Sequence, residues 1–421
     1  MRTIVVHPTD PQAEAASLTQ ALALATAGDT VLVGPGVYSP TRSGEQLPLK
    51  IPAHVTVLGA SKDACIIDGE GQFAPSFNPI RTDMAVMELA DGVWVSGLTI
   101  TNGGGHGIGA PVGTTVSVSN CALSHHGDHG LYLCGVTEAV VTSCEFFENG
   151  RQRFEPTLPR GVGARQGHHI FAEARHGQRN RLLISDNRMR ACFADGIAFI
   201  CFFPEPDAVS FRATIQRNTI EDSERGGLLF SGSFGPRRNQ LDIVATENIL
   251  RGNKQFGIGI LTAVPLAEPV PQEATVTAMF SDNTISASPI GVLIQGGIGE
   301  AHRNHCLVTL DGNRIANWSK NAIRLIGAVG GDNVQTEGNR VTASVSRNTF
   351  RGGAPAVVLQ GAGGTTKSTP RQNAVTARVV GNVVEGPSEQ AFVVSNGMAG
   401  NSVDMVAGSQ AVMRKEGNLL T

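Results

Sequence analysis

Apolar and polar residues alternate in short blocks along most of this chain, and each block ends at a turn. The alternation has a period of two, which is typical of strands with one buried face and excludes helical repeats. Seven blocks follow the form apolar-x-apolar-x-x-Asn-x-apolar, and their asparagines are Asn187, Asn218, Asn248, Asn283, Asn313, Asn348 and Asn382. Upstream, the pattern places Asn120 in register with them, and Gly97 and Cys144 mark neighbouring copies.

A second mark lies shortly after each turn, where a small residue precedes branched apolar residues. The small residues are Gly107, Gly130, Gly196, Gly227, Gly257, Gly291, Ala322, Ala356 and Ala391. Two marks that keep their places while the sequence between them varies in length are typical of a solenoid. A β-propeller would need four strands in roughly 40 to 50 residues per blade, which is longer than most of these repeats.

The two marks predict an all-β chain that folds as a single-stranded parallel β-helix of about ten to twelve coils. The same strands of successive coils then pair about 4.8 Å apart. We expect each asparagine to be a turn residue in the left-handed region, with its side chain bonding along the stack. The chain, 1–421, is predicted to be one β-helix domain, with coils over 29–400 and a C-terminal cap over 401–421.

The N-terminal end of such a stack exposes strand edges and needs a cover. The sequence predicts a capping helix over residues 9–28. Thr9 or Asp10 serves as its N-cap, Pro11 lies in its first turn and Gly28 ends it.

A helix followed by the segments GDTVLVGPGVY, HVTVLGA and CIIDGEG resembles the opening of right-handed parallel β-helix proteins of the pectate-lyase-like superfamily. The later asparagine and Gly-Ile coils extend this resemblance over nearly the whole chain. The resemblance implies a right-handed parallel β-helix. It leaves the function open, because the superfamily includes polysaccharide lyases, glycan hydrolases, uronan epimerases, phage tailspikes and non-catalytic binding proteins.

The repeat also predicts where a functional site lies. The residue before the small mark should recur on one sheet, coil above coil, and in the early coils this residue is His106, His129 or Asp195. The register between residues 150 and 171 is ambiguous, so either His168 or His169 should lie beside them. Titratable groups are absent from this position in later coils, which places the predicted site over the early coils.

The densest chemical cluster is the segment SHHGDHGLYLCG, which holds Asp128, His129 and Tyr132. Imidazoles take or give protons near neutral pH, and carboxylates orient or charge them. Histidine with Tyr132, beside a cation such as Arg165 or Arg225, would abstract a proton next to a carboxylate and protonate a leaving oxygen. That reaction is β-elimination.

Hydrolysis is the alternative chemistry, with Asp195 and either Asp128 or Glu224 as an acid/base pair whose separation decides between inversion and retention. The candidate catalytic residues are therefore His106, Asp128, His129, Tyr132, His168, His169 and Asp195. The candidate substrate-binding residues are Arg165, Phe199, Phe203, Glu224, Arg225, Phe230 and Arg324.

Three function classes stay open. The leading one is a carbohydrate-active enzyme, a lyase, hydrolase or epimerase that acts on a glycan. The second is an intracellular biosynthetic isomerase or cyclase for a small apolar substrate, because two tryptophans and two tyrosines are few for a long sugar-stacking cleft. The third is a non-catalytic binding or structural β-helix.

Composition narrows partners and location. The net charge of −3 argues against a nucleic-acid partner. No apolar run reaches the roughly 18 residues of a membrane span. The start MRTIVVHPTD lacks a signal-peptide pattern, which predicts a cytoplasmic protein, or a secreted one if a leader has been removed.

Metal and redox expectations follow from the cysteines and histidines. Seven scattered cysteines predict reduced thiols rather than a disulfide framework. No cofactor is predicted to be required. A divalent metal is conceivable by ligand type, but no segment has the spacing of a tight metal motif, so no metal ligands are assigned. The sequence does not predict an oligomeric state.

Overall fold

The computed structural model describes residues 1–71, 81–150, 167–175, 179–201, 209–232, 238–264, 272–330, 335–352, 355–364, 369–385, 391–396, 401–407, 412–415 and 418–420. The chain divides into two compact units. The first consists of Met1–Glu173 and Asn180–Ile197, and the second of Ala174–Arg179 and Ala198–Thr421. Each is an all-β parallel solenoid, and the chain makes about 11 turns, which confirms the predicted fold.

The first unit contains one α-helix, α1 (Leu18–Leu24), and one short 3-10 helix (Thr82–Met84) among its described residues. Its strands are β1 (Thr3–Val6), β2 (Thr30–Val33), β3 (Gly36–Tyr38), β4 (Leu49–Ile51), β5 (Thr56–Gly59), β6 (Cys65–Asp68), β7 (Ala85–Leu89), β8 (Val93–Ser96), β9 (Thr99–Thr101), β10 (His106–Ala110), β11 (Thr115–Ser119), β12 (Ala122–Ser124), β13 (Leu131–Cys134), β14 (Glu138–Thr142), β15 (Glu145–Phe147), β16 (Ile170–Ala174), β17 (Arg179–Ser185) and β18 (Arg188–Arg190). They form three parallel sheets in the orders β1-β2-β5-β8-β11-β14-β17, β4-β7-β10-β13-β16 and β3-β6-β9-β12-β15-β18.

The second unit repeats this plan. Its strands are β19 (Ile197–Cys201), β20 (Ser210–Gln216), β21 (Thr219–Glu221), β22 (Gly226–Ser231), β23 (Gln240–Thr246), β24 (Ile249–Arg251), β25 (Phe256–Leu261), β26 (Thr275–Ser281), β27 (Thr284–Ser286), β28 (Ile290–Gln295), β29 (His305–Asp311), β30 (Arg314–Ala316), β31 (Asn321–Ile326), β32 (Val329–Gly330), β33 (Gln335–Glu337), β34 (Arg340–Ser346), β35 (Thr349–Arg351), β36 (Val357–Gln360), β37 (Gly363–Gly364), β38 (Thr369–Arg371), β39 (Ala374–Val380), β40 (Val383–Glu385), β41 (Phe392–Ser395), β42 (Ser402–Ala407), β43 (Val412–Lys415) and β44 (Asn418–Leu420). The sheet orders are β20-β23-β26-β29-β34-β39-β42, β22-β25-β28-β31-β36-β41 and β21-β24-β27-β30-β35-β40-β43-β44, with the short pairs β32-β37 and β33-β38.

The period-two alternation of the sequence is what builds these coils. In β11, Val116 and Val118 are buried, and they pair in register with Ala139 and Val141 of β14, which are also buried. The residues between them face the other side of the strand and remain partly exposed. Apolar side chains therefore stack in columns inside each unit, which is where its core lies.

The N-terminal helix is shorter than the prediction over residues 9–28. It has seven residues and begins at Leu18 rather than after Thr9 or Asp10. The reason is that the chain first returns to β1, where Ala15 exchanges backbone hydrogen bonds at 3.0 and 3.2 Å. Residues paired with a strand in this way are not free to enter a helix.

Side chains complete the start of α1. The hydroxyl of Ser17 accepts a hydrogen bond from the first turn at 3.2 Å. The carboxylate of Glu45 accepts hydrogen bonds from the N–H groups of Leu18 and Thr19 at 2.9 and 2.8 Å. Together these acceptors satisfy N–H groups that have no partner inside the helix. Gly28, beyond the helix end, has a φ of +88°.

The coils also extend past the predicted limits of 29–400. At the start, β1 pairs in parallel with β2, ahead of the helix. At the other end, β42 pairs in parallel with β39, and β43 with β40. Within the described residues, β44 alone pairs antiparallel, with β43. The segment 401–421, predicted as a cap, thus continues two of the sheets before it turns back.

An asparagine column runs through the interior of the second unit. It consists of the buried residues Asn218, Asn248, Asn283, Asn313, Asn348 and Asn382. Each Oδ1 after the first accepts the N–H and the Nδ2 of the preceding asparagine at 2.9 to 3.0 Å, so the predicted bonding along the stack is confirmed. The left-handed residue is the one before each asparagine, such as Asp282 (φ 56°), because the asparagine side chain must face the interior.

The same one-residue displacement corrects the register of the first unit. Asn120 has a φ of 48° and occupies the left-handed position, not the interior one. Because Ala122 pairs with Glu145, the interior position falls on Cys121, opposite Cys144. The predicted alignment of Asn120 with Cys144 is wrong by one residue.

Candidate active site

Four polar residues occupy equivalent places on successive coils of the first unit. Strand β10 pairs with β13, and β13 with β16, and this register aligns His106, His129 and His168 along the stack. Asp195 follows them, since its N–H donates to Nδ1 of His168 at 3.2 Å. We call these four residues the histidine column.

The column is tightly stacked and almost fully buried. The rings of His106 and His129 are parallel to within 3°, with centroids 5.0 Å apart, and the centroids of His129 and His168 are 5.3 Å apart. These three side chains belong to residues that are 3 to 7% exposed, and Asp195 is fully buried. The predicted alignment of His106, His129 and Asp195 is present, and the ambiguous position is filled by His168.

Main-chain groups fix which ring nitrogen carries the proton. Nδ1 of His106 accepts from the N–H of His129 at 3.4 Å, and Nδ1 of His129 accepts from the N–H of His168 at 3.0 Å. An Nδ1 that accepts a hydrogen bond carries no proton, so each neutral imidazole holds its proton on Nε2. Protonation at Nδ1 would set two N–H groups against each other. The column therefore offers Nε2–H donors.

Asp128 lies between two rings of the column. Its Oδ2 is 3.7 Å from Nδ1 of His106, and its Oδ1 is 3.5 Å from Nε2 of His129. The pair His168 and Asp195 repeats the first of these two contacts, with Nδ1 and Oδ2 3.5 Å apart. Each carboxylate thus lies beside an imidazole, at a distance slightly longer than a hydrogen bond.

The atoms of His106, Asp128 and His129 that bind metals lie within 4.8 Å of one another, so these residues have the composition of a metal site. A histidine bound to a metal uses one nitrogen lone pair and keeps a proton on the other nitrogen. In His129, Nδ1 already accepts a main-chain N–H, which leaves the proton on Nε2 and no lone pair there. The arrangement suits proton transfer better than metal binding.

Tyr132 lies against the column, with its ring centroid 4.8 Å from that of His106 and 5.6 Å from that of His129. Its hydroxyl donates to Oε2 of Glu173 at 2.9 Å. Burial and then the charge of Glu173 raise the pKa of Tyr132 well above its ordinary value of 10.0. The phenol therefore keeps its proton at neutral pH. It is a weak acid, which gives its proton only to a strongly basic atom such as a departing alkoxide oxygen.

An aromatic ring covers one side of the column. The Phe171 ring centroid is 4.5 Å from that of His129, 5.2 Å from that of His168 and 5.7 Å from that of Tyr132. This ring gives the site an apolar wall, which strengthens electrostatic interactions near it by excluding water.

His169, a predicted catalytic residue, lies apart from the column. One residue after His168, its side chain points to the interior, where Nδ1 contacts Nδ2 of Asn149 at 3.0 Å and Nε2 contacts the carbonyl of Arg190 at 3.0 Å. Burial lowers the pKa of His169 to about 3. With both nitrogens engaged and the ring fully buried, His169 has a structural environment rather than a catalytic one.

Two predicted substrate-binding residues are core residues of the second unit. Phe199 and Phe230 are 1% and 0% exposed, and their rings stack at 5.3 Å. They fall on the inward-facing positions of β19 and β22, because side chains alternate along a strand. The prediction that they line a groove is wrong.

Of the other predicted binding residues, three are exposed or half-buried in the second unit and two lie outside the described residues. Glu224 is exposed and Arg225 is half-buried, both in the second unit. Arg324 is half-buried there, and its Nη2 donates to Oε1 of Gln360 at 3.3 Å. Arg165 and Phe203 lie outside the described residues, so their predicted roles stay predictions.

Sequence reasoning does not identify Glu173 or Phe171. Both lie on β16, where all five residues, IFAEA, are buried. A carboxylate inside an otherwise apolar strand is the signal that identifies Glu173, because a buried charge needs partners. That signal becomes readable only once the strand register after residue 166 is known.

Comparisons with known proteins bear on the fold. Residues 9–137 match the family described as "Protein of unknown function (DUF1565)". None of the curated proteins matches the chain at a significant level. Pectate lyase, glucanase and polysaccharide lyase structures are among the similar solved structures, as the resemblance to the pectate-lyase-like superfamily implies. Neither helix in the described part of the chain has the length and hydropathy of a membrane span.

Three similar structures illustrate the range. The catalytic unit of the GH87 alpha-1,3-glucanase from Streptomyces thermodiastaticus is 15% identical, with a TM-score of 0.48, over 91% of this chain and 66% of that unit. The adhesin PfbA of Streptococcus pneumoniae is 13% identical (TM-score 0.47, 96% and 89% covered). The mannuronan C-5 epimerase A-module of Azotobacter vinelandii is 15% identical (TM-score 0.38, 94% and 93% covered). At these values the similarity does not extend to mechanism or substrate.

Proposed function

We propose that this protein is a carbohydrate-active enzyme that transfers protons with the histidine column and Asp128. The observation that carries the proposal is the column itself, in which imidazoles and carboxylates lie 3.5 to 3.7 Å apart in a buried cluster. Burying several ionisable groups together is unfavourable, because each must lose its water. Active sites are where such clusters concentrate. Glycan-acting enzymes among the proteins of similar fold give the substrate class.

Within that class the geometry favours β-elimination. Asp128 accepts the proton from the carbon beside a substrate carboxylate. The Nε2–H groups of His106 and His129 stabilise the negative charge that then develops. Tyr132, which keeps its proton at neutral pH, delivers it to the leaving oxygen. Asp128 gains one proton, the leaving oxygen gains another, and exchange with solvent restores both residues.

Hydrolysis is supported by a second carboxylate in the column. Asp195 lies beside Nδ1 of His168 as Asp128 lies beside Nδ1 of His106. The two aspartates are two coils apart, about 10 Å along the stack. That spacing is closer to the carboxyl separation of inverting glycosidases than to that of retaining ones.

A small apolar substrate is the second candidate, and two observations favour it. The column residues are at most 7% exposed, and Phe171 forms an apolar wall beside them. An isomerase or cyclase with such a substrate would use the same proton-transfer groups.

The test is an assay of the purified protein on a panel of uronate polymers and neutral glycans. Ultraviolet absorbance follows unsaturated products, and a parallel assay follows new reducing ends. Elimination gives both signals, whereas hydrolysis gives reducing ends alone. No signal from any glycan would contradict both elimination and hydrolysis, and thermal-shift hits among small apolar molecules would then support the second candidate.

A further inference from the structure

Cys121 and Cys144 lie side by side in the interior of the first unit. They directly precede β12 and β15, which pair in parallel with Ala122 opposite Glu145, so the two cysteines stand opposite each other. Adjacent parallel strands are about 4.8 Å apart. That distance lies within the range of roughly 4.4 to 6.8 Å that separates the Cα atoms of disulfide-bonded cysteines.

The two thiols have the same orientation. The residue before each cysteine is left-handed, with φ of 48° and 56°. Each Sγ lies near the carbonyl two residues earlier in its own coil, at 3.2 Å for Cys121 and 3.3 Å for Cys144. Sγ of Cys144 also lies 3.5 Å from the carbonyl of Val118, which belongs to the coil that carries Cys121. Sγ of Cys121 lies 3.9 Å from the carbonyl of Val95 in the coil before it, so each thiol leans toward the preceding coil and a bond between them requires Cys121 to change its side-chain rotamer.

The asparagine column shows that side chains at this position bridge successive coils. Asn248 and Asn283 of the second unit occupy the place that Cys121 and Cys144 occupy in the first, one residue after a left-handed turn. Nδ2 of Asn248 donates to Oδ1 of Asn283 at 2.9 Å, which joins one coil to the next through side chains. A covalent bond between two cysteines would join the coils at the same place.

We propose that Cys121 and Cys144 are a site of disulfide formation that joins two successive coils when the protein meets a small disulfide such as oxidised glutathione. The Cys121 thiolate attacks the glutathione disulfide, bonds to one sulfur and releases one glutathione thiolate. The Cys144 thiolate then attacks the Cys121 sulfur and releases the second. Two cysteine thiols are oxidised, and one glutathione disulfide is reduced to two thiols, which take up the two protons.

The contact between the two thiols favours one order of attack once the two coils have formed. It lowers the pKa of Cys121 and raises the pKa of Cys144. The thiolate forms first on Cys121, and the thiolate is the nucleophile in thiol–disulfide exchange. Both residues are at most 1% exposed, so the reagent reaches them most easily while the chain is folding.

The experiment uses the full-length protein in two samples. One is unfolded in denaturant and refolded in a mixture of reduced and oxidised glutathione, and the other is treated with oxidised glutathione in the folded state. Both are quenched with an alkylating reagent, digested and examined by mass spectrometry. We expect a linked peptide pair containing Cys121 and Cys144, lighter by two hydrogen atoms than the separate thiol peptides, and a higher thermal midpoint that reducing agent abolishes.

Matched variants identify the residues. Cys121→Ala and Cys144→Ala should lose both the linked peptides and the midpoint difference, whereas Cys306→Ala, which removes a buried cysteine of the second unit, should keep them. Linkage in either sample supports the proposal. Alkylation of all seven cysteines in both samples, or other linked pairs as frequent as this one, would overturn it. The linked peptides are measured in the protein without substitutions, so the test remains valid even if a variant fails to fold.

Discussion

The same position on the coil holds ionisable residues in the first unit and uncharged residues in the second. In the first unit this place holds the histidine column. In the second unit, the strand register puts uncharged residues there, which are Gly226, Phe256, Ile290 and Asn321. The Phe256 ring also fills the space above Gly226, where an added Cβ would lie only 2.0 Å from it. One repeated scaffold thus supports ionisable groups in one unit and plain packing in the other.

The interiors of the two units also differ, and here the second unit has the continuous row of hydrogen-bonded polar residues. The second unit has the asparagine column, whose amides bond from coil to coil, whereas the first unit places Cys121 and Cys144 at the equivalent position. The first unit also buries His126 and His169 in its interior. The regular asparagine contact begins in the first unit at Asn187, whose Oδ1 accepts the N–H of Cys144 at 2.9 Å, and in the second unit it recurs from coil to coil. Departures from a local rule of this kind are expected at functional sites.

Substitutions at the proposed site of the first unit should have the largest effect, which is a loss of activity. Asp128→Asn replaces the proposed proton acceptor with an amide of the same size, and we expect kcat on any substrate found to fall by about 10² to 10⁴-fold. Tyr132→Phe removes only the hydroxyl and should lower kcat by about 10²-fold. Initial rates measure both effects.

The matched control is His125→Gln, in the same segment as Asp128. The His125 ring is partly exposed and lies 3.8 Å from Glu148, outside the column. Its variant should keep the parent rate. A full rate in Asp128→Asn would show that Asp128 is not the proton acceptor and would contradict the proposed elimination.

The next largest effect is on stability. Asn283→Ala removes four buried hydrogen bonds, two accepted by Oδ1 and two donated by Nδ2. The neighbouring amides lose partners, so we expect the free energy of unfolding to fall by about 3 kcal/mol. Cys144→Ala, at the equivalent position of the first unit, should lower it by about 1 kcal/mol in reducing buffer. Urea denaturation measures both, and equal losses would contradict the distinction drawn between the interior columns.

A smaller effect is the loss of stability of the first unit at acidic pH. Burial lowers the pKa values of His126 and His169 to about 3, below their ordinary value of 6.5. The unfolded chain therefore binds protons first, so the stability that these residues contribute is complete above pH 6.5 and is lost as the pH falls toward about 3. His169→Gln should flatten the fall in urea midpoint between pH 7 and pH 4. A slope equal to that of the parent would argue against a neutral, buried His169.

The smallest expected effect is that of a metal. Since Nδ1 of His129 accepts a main-chain N–H, Co²⁺ at neutral pH should give no saturable visible spectrum of a bound ion, and activity should survive treatment with chelator. A one-to-one Co²⁺ spectrum that disappears in Asp128→Asn would show that His106, Asp128 and His129 bind metal after all.

The sequence is sufficient to predict the coils and most of the column. The period-two pattern and the small marks determine which residues recur, and they align His106, His129 and Asp195 from the sequence alone. The choice between His168 and His169 could not be made, because the insertion before them breaks the count. A shift of one residue moves a side chain to the other face of a strand.

The same sensitivity explains the other differences. Phe199 and Phe230 resemble groove residues in the sequence, but their strand positions face the core. The left-handed turn position is one residue before each asparagine. The recurrence of asparagine in the sequence does not show which of the two residues has the left-handed conformation. The sequence does not reveal Glu173, because its contact with Tyr132 joins residues that are distant in the chain.

The main-chain hydrogen bonds to Nδ1 determine what happens to the histidine column when a coil is added or deleted. Each imidazole takes its tautomer from a backbone N–H of the coil that follows. Duplicating a coil with histidine at this place would therefore add one more correctly oriented donor, and deleting a coil would shorten the row without disturbing the rings that remain.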